Sequence, residues 1–272
     1  MPEGPEIKIE ADKINAAIGG SVVDEVYFEQ RRLKRFAKAI KGARVDRIET
    51  RGKAMLIRFD HQLSMYSHNQ LYGRWYVRPR GEFPNSNRVL RVALHCQQMS
   101  ALLYSASDIA ILTERELNNH RYISRLGPDV LHESFGWQEC AELLADPKFA
   151  RRSLGAVYLD QTFLAGIGNY LRSEILFLAR LKPTRVLASL NERETERLAR
   201  ATVTLSRRAY RTKGITNPPA RVTALKNQGK KRGAYRFAVF ARQEQACFEC
   251  GETIQRIEVS GRRLYLCNAC QI

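Results

Sequence analysis

Residues 247–270 read CFECGETIQRIEVSGRRLYLCNAC, which places four of the six cysteines near the end of the chain. Each pair has the form Cys-x2-Cys, and sixteen residues separate the pairs. Apolar runs at 253–259 and 263–267 flank Ser-Gly-Arg and predict a hairpin. A hairpin would bring both pairs together, so that four thiolates could close a tetrahedron around one ion. The pattern predicts a structural zinc ribbon, with redox dithiols as the alternative; its ligands would be Cys247, Cys250, Cys267 and Cys270.

The rest of the chain is typical of a cytoplasmic protein that has no contact with a membrane. No apolar run approaches the roughly 20 residues that a spanning helix needs, and the acidic start does not resemble a signal peptide. Thiols stay reduced in the cytoplasm, which favours a metal site over disulfides. The two isolated cysteines, Cys96 and Cys140, are expected to be buried among apolar side chains.

Positive charge predominates in the composition. The chain has 45 Lys and Arg residues against 28 Asp and Glu, for a formal net charge of +17. Such an excess indicates an anionic partner rather than a fold. Between Arg197 and Arg242 there are 13 basic residues and no acidic one. A solvated face is the alternative, but this concentration favours contact with nucleic acid.

The first half of the chain reads as one helix followed by short strands. Four apolar residues recur at helical spacing: Ile7, Ala11, Ile14 and Ile18. Pro5 suits the first turn of that helix. Six apolar segments separated by turn residues predict an antiparallel sandwich or barrel: 21–29, 43–50, 54–60, 73–79, 89–96 and 100–105.

From about residue 134 the spacing becomes helical, in the segments 137–146, 168–181 and 189–211. Ser189 and Glu192 match a capping box at the start of the last segment. Its apolar face would comprise Leu198, Thr202, Leu205 and Ala209. The basic stretch 212–234 is rich in Gly, Pro and Asn, so it predicts a mobile loop that is poorly ordered without its partner.

These segments predict an α+β multidomain chain. Its parts would be a β-sandwich domain with a leading helix at 1–133, a helical domain with the basic linker at 134–236, and a zinc finger at 237–272.

The chain begins MPEGPEIKIE, with Pro2 next to Glu3 and close to Glu6. Removal of Met1 would leave Pro2 as an N-terminal secondary amine. Such an amine is a potential nucleophile with acid/base partners already nearby. The alternative is an N-terminus without a chemical role.

Three internal motifs carry weaker signals. In QTFLAGIGNYLRSEIL, residues 161–176, small residues precede Asn169 and could expose N–H groups to an anion at a helix start. A helix–helix turn is the alternative. Lys53 lies in a turn between two strands, where a solvated lysine is the usual outcome. The triplet 70–72 places a polar, an apolar and an aromatic residue in another turn, where partial burial would also explain them.

Taken together, PEGPEI, RGKAM, SHNQLYG, LDQTFLAGIGNYLRSEIL and the terminal CNACQ resemble the formamidopyrimidine-DNA glycosylase/endonuclease VIII family. The resemblance covers residues 1–271 in family order. It implies an N-terminal β-sandwich, a helix–two-turn–helix domain and a zinc finger. PEGPE and the triplet are similar to the endonuclease VIII branch, which implies a base excision repair enzyme that removes oxidised pyrimidines from double-stranded DNA.

The resemblance also implies roles for individual residues. Pro2 would form a Schiff base with the sugar and Glu3 would act as general acid/base, with support from Glu6. Lys53 and Arg262 would grip the lesion phosphates and assist β,δ-elimination. The DNA contacts implied are Gln70, Leu71, Tyr72, Arg125 and Asn169. Arg262 is preferred to the adjacent Arg263 because it stands five residues before Cys267.

Two alternatives remain at the level of sequence: a glycosylase for oxidised purines, and a DNA-binding protein that has lost catalysis. The stretch 212–234 is longer and more basic than the family pattern, which leaves the lesion preference open. The expected form is a bacterial cytoplasmic monomer that joins the nucleoid through DNA and also acts on abasic sites.

Overall fold

The computed structural model describes residues 2–272, and the chain divides into two compact units, Met1–Arg125 and Leu126–Ile272. The helices of the described residues are α1 Gly4–Ile18, α2 Arg31–Lys34, α3 Ala37–Ile40, α4 Glu114–Asn118, α5 Trp137–Leu144, α6 Leu154–Val157, α7 Asn169–Leu178, α8 Glu192–Arg211, α9 Pro219–Asn227 and α10 Arg232–Tyr235. Single 3-10 turns lie at Ile123–Arg125, Pro147–Phe149 and Leu187–Ser189. The strands are β1 Glu25–Phe28, β2 Val45–Arg51, β3 Ala54–Phe59, β4 Leu63–His68, β5 Arg74–Pro79, β6 Leu90–His95, β7 Met99–Tyr104, β8 Asp108–Thr113, β9 Gln255–Val259 and β10 Arg262–Leu266.

The first unit is the β-sandwich that the resemblance implies. One antiparallel sheet has the order β2-β3-β4-β8, and the other has the order β1-β6-β7-β5. Helix α1 buries its predicted apolar face, Ile7, Ala11, Ile14 and Ile18, in one core with residues of both sheets. Because about 25 cal/mol is gained per Å² of apolar surface buried, this face fixes the start of the chain against the sandwich.

The second unit is built around α7, whose residues from Tyr170 to Phe177 are all buried. Helix α8 packs on it and buries Leu198, Thr202, Leu205 and Ala209, as its spacing predicted. The predicted capping box at Ser189 and Glu192 is wrong. Asn191 caps α8 and Glu194 completes the box, because Ser189 is taken up by the preceding 3-10 turn.

The loop predicted over 212–234 is also wrong, because α9 and α10 occupy part of it; the predicted poor order of this stretch without DNA stays a prediction. Pro219 stands at the first helical position, where its fixed φ and missing N–H cost nothing. Neither helix buries any residue, so the sequence shows no apolar period. The stretch is therefore helical but exposed.

The finger forms the predicted hairpin. β9 and β10 pair antiparallel with Arg262 opposite Val259, and Ser260 and Gly261 form the turn. The buried carboxylate of Glu174 on α7 accepts hydrogen bonds from three consecutive main-chain N–H groups, at 2.8 Å each, of Ala238, Val239 and Phe240. These bonds fix the chain that leads into the finger.

The burial predicted for the two isolated cysteines is confirmed. Cys96 and Cys140 are both buried, and burial raises the pKa of each thiol. In the part of the chain from residue 2 onward, no helix is long and apolar enough to cross a membrane.

Candidate active site and metal centre

The start of α1 gathers the first set of predicted residues. Glu3 is the N-cap and is only 4% exposed. The carboxylate of Glu6 accepts a hydrogen bond from the Glu3 N–H at 3.1 Å. Both acids lie where the helix dipole favours negative charge, and Pro2 precedes them, half-buried. The predicted removal of Met1 concerns a residue outside the described range.

Lys53 lies in the two-residue turn between β2 and β3. The turn needs Gly52 because its φ is 61°, in the left-handed region. The Lys53 N–H donates to the hydroxyl of Tyr122 at 3.1 Å. Burial lowers the pKa of His68, and the charge of Lys53 lowers it further against the opposing effect of Asp108. The lowered pKa favours the neutral form of the His68 imidazole near Lys53.

The predicted triplet lies between β4 and β5. Leu71 is 54% exposed and Tyr72 is 65% exposed, so two large apolar side chains face solvent. Gln70 has a φ of 51°, which a residue with a Cβ adopts at a cost of about 1–2 kcal/mol. The turn closes where the Gly73 N–H donates to the Asn69 carbonyl at 2.7 Å. The turn is therefore exposed, and its backbone conformation is constrained.

Asn169 is the first residue of α7, as expected of an anion site at a helix start. Gln161 braces the preceding loop: its amide donates to the Ile167 carbonyl at 2.9 Å and its oxygen accepts from the Gly166 N–H at 3.1 Å. The Asn169 side-chain oxygen accepts from Arg172 at 3.2 Å. Because this oxygen is engaged, the NH₂ group is the end of the amide that can donate at the start of α7.

Arg172 is a residue that the sequence predictions missed. Its guanidinium is fully buried in the second unit. It donates to the Gly155 carbonyl at 2.6 Å and to the Arg263 carbonyl at 3.1 Å, with a weaker contact to the Arg262 carbonyl at 3.4 Å. One cation thus joins Asn169 to the hairpin end that carries Arg262. An arginine inside the apolar run NYLRSEILFL is the signal that could have identified it.

Arg262 is exposed as the first residue of β10, next to the hairpin turn. Arg125 is exposed in the 3-10 turn Ile123–Arg125, which ends the first unit. In that unit Glu3 and Glu6 share one helix start, whereas Lys53 and the triplet lie in separate turns.

Four cysteines form the candidate metal centre. Their Sγ atoms all lie within 4.8 Å of one another: those of Cys247, Cys250, Cys267 and Cys270. Cys247 and Cys270 are 3.9 Å apart at sulfur, and Cys250 and Cys267 are 3.5 Å apart. Zinc with Zn–S bonds of about 2.3 Å requires sulfur separations of about 3.8 Å. The four sulfurs therefore fit one tetrahedral ion.

Comparison with known proteins gives the chain its family. The sequence model of the formamidopyrimidine-DNA glycosylase N-terminal domain matches residues 1–107, and that of the H2TH domain matches residues 126–218. An endonuclease 8 of Enterobacter sp. (strain 638) is 43% identical over 272 residues, which cover all of both chains. The chain belongs to the formamidopyrimidine-DNA glycosylase family.

Two further comparisons agree, one in sequence and one in fold. An endonuclease 8 of Pectobacterium atrosepticum is also 43% identical over the full length of both chains. A Lactococcus lactis Fpg in complex with oxidized pyrimidine containing DNA has a TM-score of 0.80 at 21% identity, with 99% of each chain covered. This structural likeness extends the fold to both units of the chain.

Proposed function

We propose that the protein is a bifunctional DNA glycosylase and abasic-site lyase that removes oxidised pyrimidines from double-stranded DNA. The observation that carries the proposal is the start of α1, where Pro2 precedes a buried Glu3 whose N–H is bound by Glu6. Relatives named endonuclease 8 are 43% identical over the whole chain. They support the endonuclease VIII branch, and with it oxidised pyrimidines as the substrate.

The N-terminal amine would perform the covalent chemistry. The neutral nitrogen of Pro2 attacks C1′ of the damaged nucleotide, the glycosidic bond breaks, and the base leaves with the electron pair of that bond and takes up the proton that the nitrogen loses. Loss of the nitrogen's own proton and opening of the sugar ring give an iminium. Because an α-amino pKa is about 7.7–8.0, a useful fraction of this amine is neutral at cellular pH.

Glu3 would protonate the ring oxygen as the sugar opens and later accept a proton, as a general acid/base does. The iminium acidifies the C2′ proton, so the C3′–O bond breaks first and the C5′–O bond second. Lys53 and Arg262 would hold the two departing phosphates, and Arg172 would hold Arg262 through its main chain.

The remaining residues would hold the DNA. Leu71 and its neighbours Gln70 and Tyr72 would fill the space left by the flipped nucleotide, which offsets part of a cost of a few kcal/mol. Asn169 and Arg125 would contact phosphates. The four cysteines would hold one zinc ion, which supplies rigidity to the hairpin of Arg262 and takes no part in bond breaking.

The protein is proposed to act as a monomer in the bacterial cytoplasm, in keeping with its bacterial relatives. The three domain ranges 1–133, 134–236 and 237–272 stay a prediction.

Borohydride trapping on a thymine glycol duplex tests the proposal. We expect the wild type to form a covalent adduct that maps to Pro2, and Pro2→Gly to reduce trapping roughly tenfold because a primary amine gives a less electrophilic imine. Pro79→Ala, at the exposed end of β5, is the matched control and should trap normally. Binding without any adduct, or an adduct on a lysine, would refute it; faster excision of 8-oxoguanine than of thymine glycol would refute the pyrimidine assignment.

Salt should weaken DNA binding steeply, because each Lys or Arg that contacts a phosphate releases counterions. We expect a loss of about 10³-fold or more in affinity between about 50 and 200 mM salt. Arg262→Gln should lower the slope of log Kd against log salt by about one. Arg91→Gln, whose guanidinium is paired with Glu29, should leave it unchanged. A flat slope in fluorescence anisotropy would contradict a phosphate-dominated interface.

A further inference from the structure

The turn that carries Leu71 is fastened to helix α1. The side chain of Asn69 is buried, with 3% exposed, and donates to a carboxylate oxygen of Glu10 at 2.7 Å. Glu10 lies seven residues after Glu3 and four after Glu6 on α1. Residues at these spacings share one side of a helix. The turn is thereby joined to the side of α1 that begins with the proposed acid.

Three further bonds made by side chains hold the turn, and none of them involves α1. The Gln70 N–H donates to Nδ1 of His68 at 3.0 Å, and the Gln70 side-chain oxygen accepts from the Ser107 hydroxyl at 2.8 Å. The Arg88 guanidinium donates to the Tyr72 carbonyl. These bonds keep Gln70 in its strained conformation, since the lowered pKa of His68 keeps its nitrogen available as an acceptor at neutral pH. They fix the shape of the turn, whereas the Glu10 bond fixes its place on α1.

We propose that Glu10 is a positioning residue that couples the turn 69–73 to α1, the helix that directly follows Pro2 and Glu3. The inference rests on the proposed function. When the exposed Leu71 enters the DNA stack, the carboxylate of Glu10 holds the turn at a fixed distance from the start of α1. Base excision in a duplex then depends on the Glu10–Asn69 bond. Cleavage at an abasic site in single-stranded DNA does not depend on this bond, because a single strand has no base stack for Leu71 to fill.

The charge on Glu10 adds a pH dependence to this coupling. Burial raises its pKa to about 7, against the hydrogen bond from Asn69 and the charges of Arg74 and Lys13, while Glu6 adds to the rise. A carboxylate accepts a shorter and stronger hydrogen bond than a neutral carboxyl group does. The bond to Asn69 is therefore strongest above pH 7 and weakens as the pH falls below it.

The test compares two substrates for each variant. We expect Glu10→Ala to lower single-turnover excision of thymine glycol from a duplex by about tenfold, with unchanged lyase activity on a preformed abasic site in single-stranded DNA. Glu10→Gln keeps an acceptor oxygen, so it should recover part of the loss and remove the Glu10 inflection from the pH profile of excision. Asp12→Asn, a carboxylate paired with Lys8 on the same helix, is the matched control and should behave as wild type on both substrates.

Asn69→Ala removes the same bond from the other side. The double variant should lose no more excision than either single variant, because contacting partners are not additive. Additive losses, equal losses on both substrates, or wild-type excision by Glu10→Ala would each overturn the inference. The proposed function fails separately, if the wild type forms no trapped adduct.

Discussion

We expect Glu3→Gln to abolish excision of oxidised pyrimidines and to retain lyase activity on abasic DNA. This is the largest effect that we expect of a single substitution. General acid/base catalysis contributes about 10²–10⁴-fold, and an amide can neither give nor take the proton. The glutamine fits the same buried N-cap position, so α1 should still form. An abasic site has already lost its base and its sugar opens without help from the enzyme, so Pro2 can still form the iminium there. Single-turnover gel assays on thymine glycol and abasic duplexes measure the two activities.

The matched control is Glu6→Gln, one helical turn away. Its amide oxygen can still accept the hydrogen bond from the Glu3 N–H that the carboxylate accepts at 3.1 Å. We therefore expect a much smaller loss than with Glu3→Gln. Full excision by Glu3→Gln, or an equal loss of both activities, would remove Glu3 from its assigned role.

Loss of the metal should unfold the finger, and strand cleavage should be lost as a consequence. Binding of structural zinc to small fingers supplies about 10–16 kcal/mol, which is folding free energy for the ribbon. Cys267→Ser, or a strong chelator, should abolish zinc binding and hydrogen-exchange protection of the β9–β10 hairpin. Arg262 is the first residue of β10. Unfolding of the hairpin should therefore displace Arg262 and lower the rate of strand cleavage.

Cys96→Ala is the control for this experiment, because Cys96 is buried within the sandwich and far from the four-cysteine cluster in sequence. It should keep one zinc ion per chain and normal protection of the hairpin. Wild-type protein that folds its finger fully without bound metal would contradict the zinc assignment.

The sequence predicted elements where apolar periodicity is strong, and missed them where burial depends on distant partners. Strand β4 escaped prediction because Ser64 and Ser67 are buried within it. The Ser64 hydroxyl accepts a hydrogen bond from Arg58 at 3.0 Å. A buried polar residue reads as a loop residue until its partner is known.

The same limit applies to the candidate site. Proline and glutamate at the start, and the four cysteines at the end, are recognisable because local chain chemistry brings them together. Glu10 and Asn69 are 59 residues apart in sequence, and Arg172 contacts the Arg263 main chain 91 residues away. Neither contact leaves a local pattern. Positioning residues of this kind become visible only when the chain has folded.

The hydrogen bond from the Gly73 N–H to the Asn69 carbonyl limits which positions of the turn 69–73 can be substituted. A methyl group at position 73 would stand 2.5 Å from the carbonyl oxygen of Asn69, too close for any side chain. Leu71 and Tyr72 can thus be varied in a library, provided that Gln70, which holds a left-handed backbone conformation, and Gly73 are left untouched. Any side chain at position 73 would push Asn69 away and open the turn.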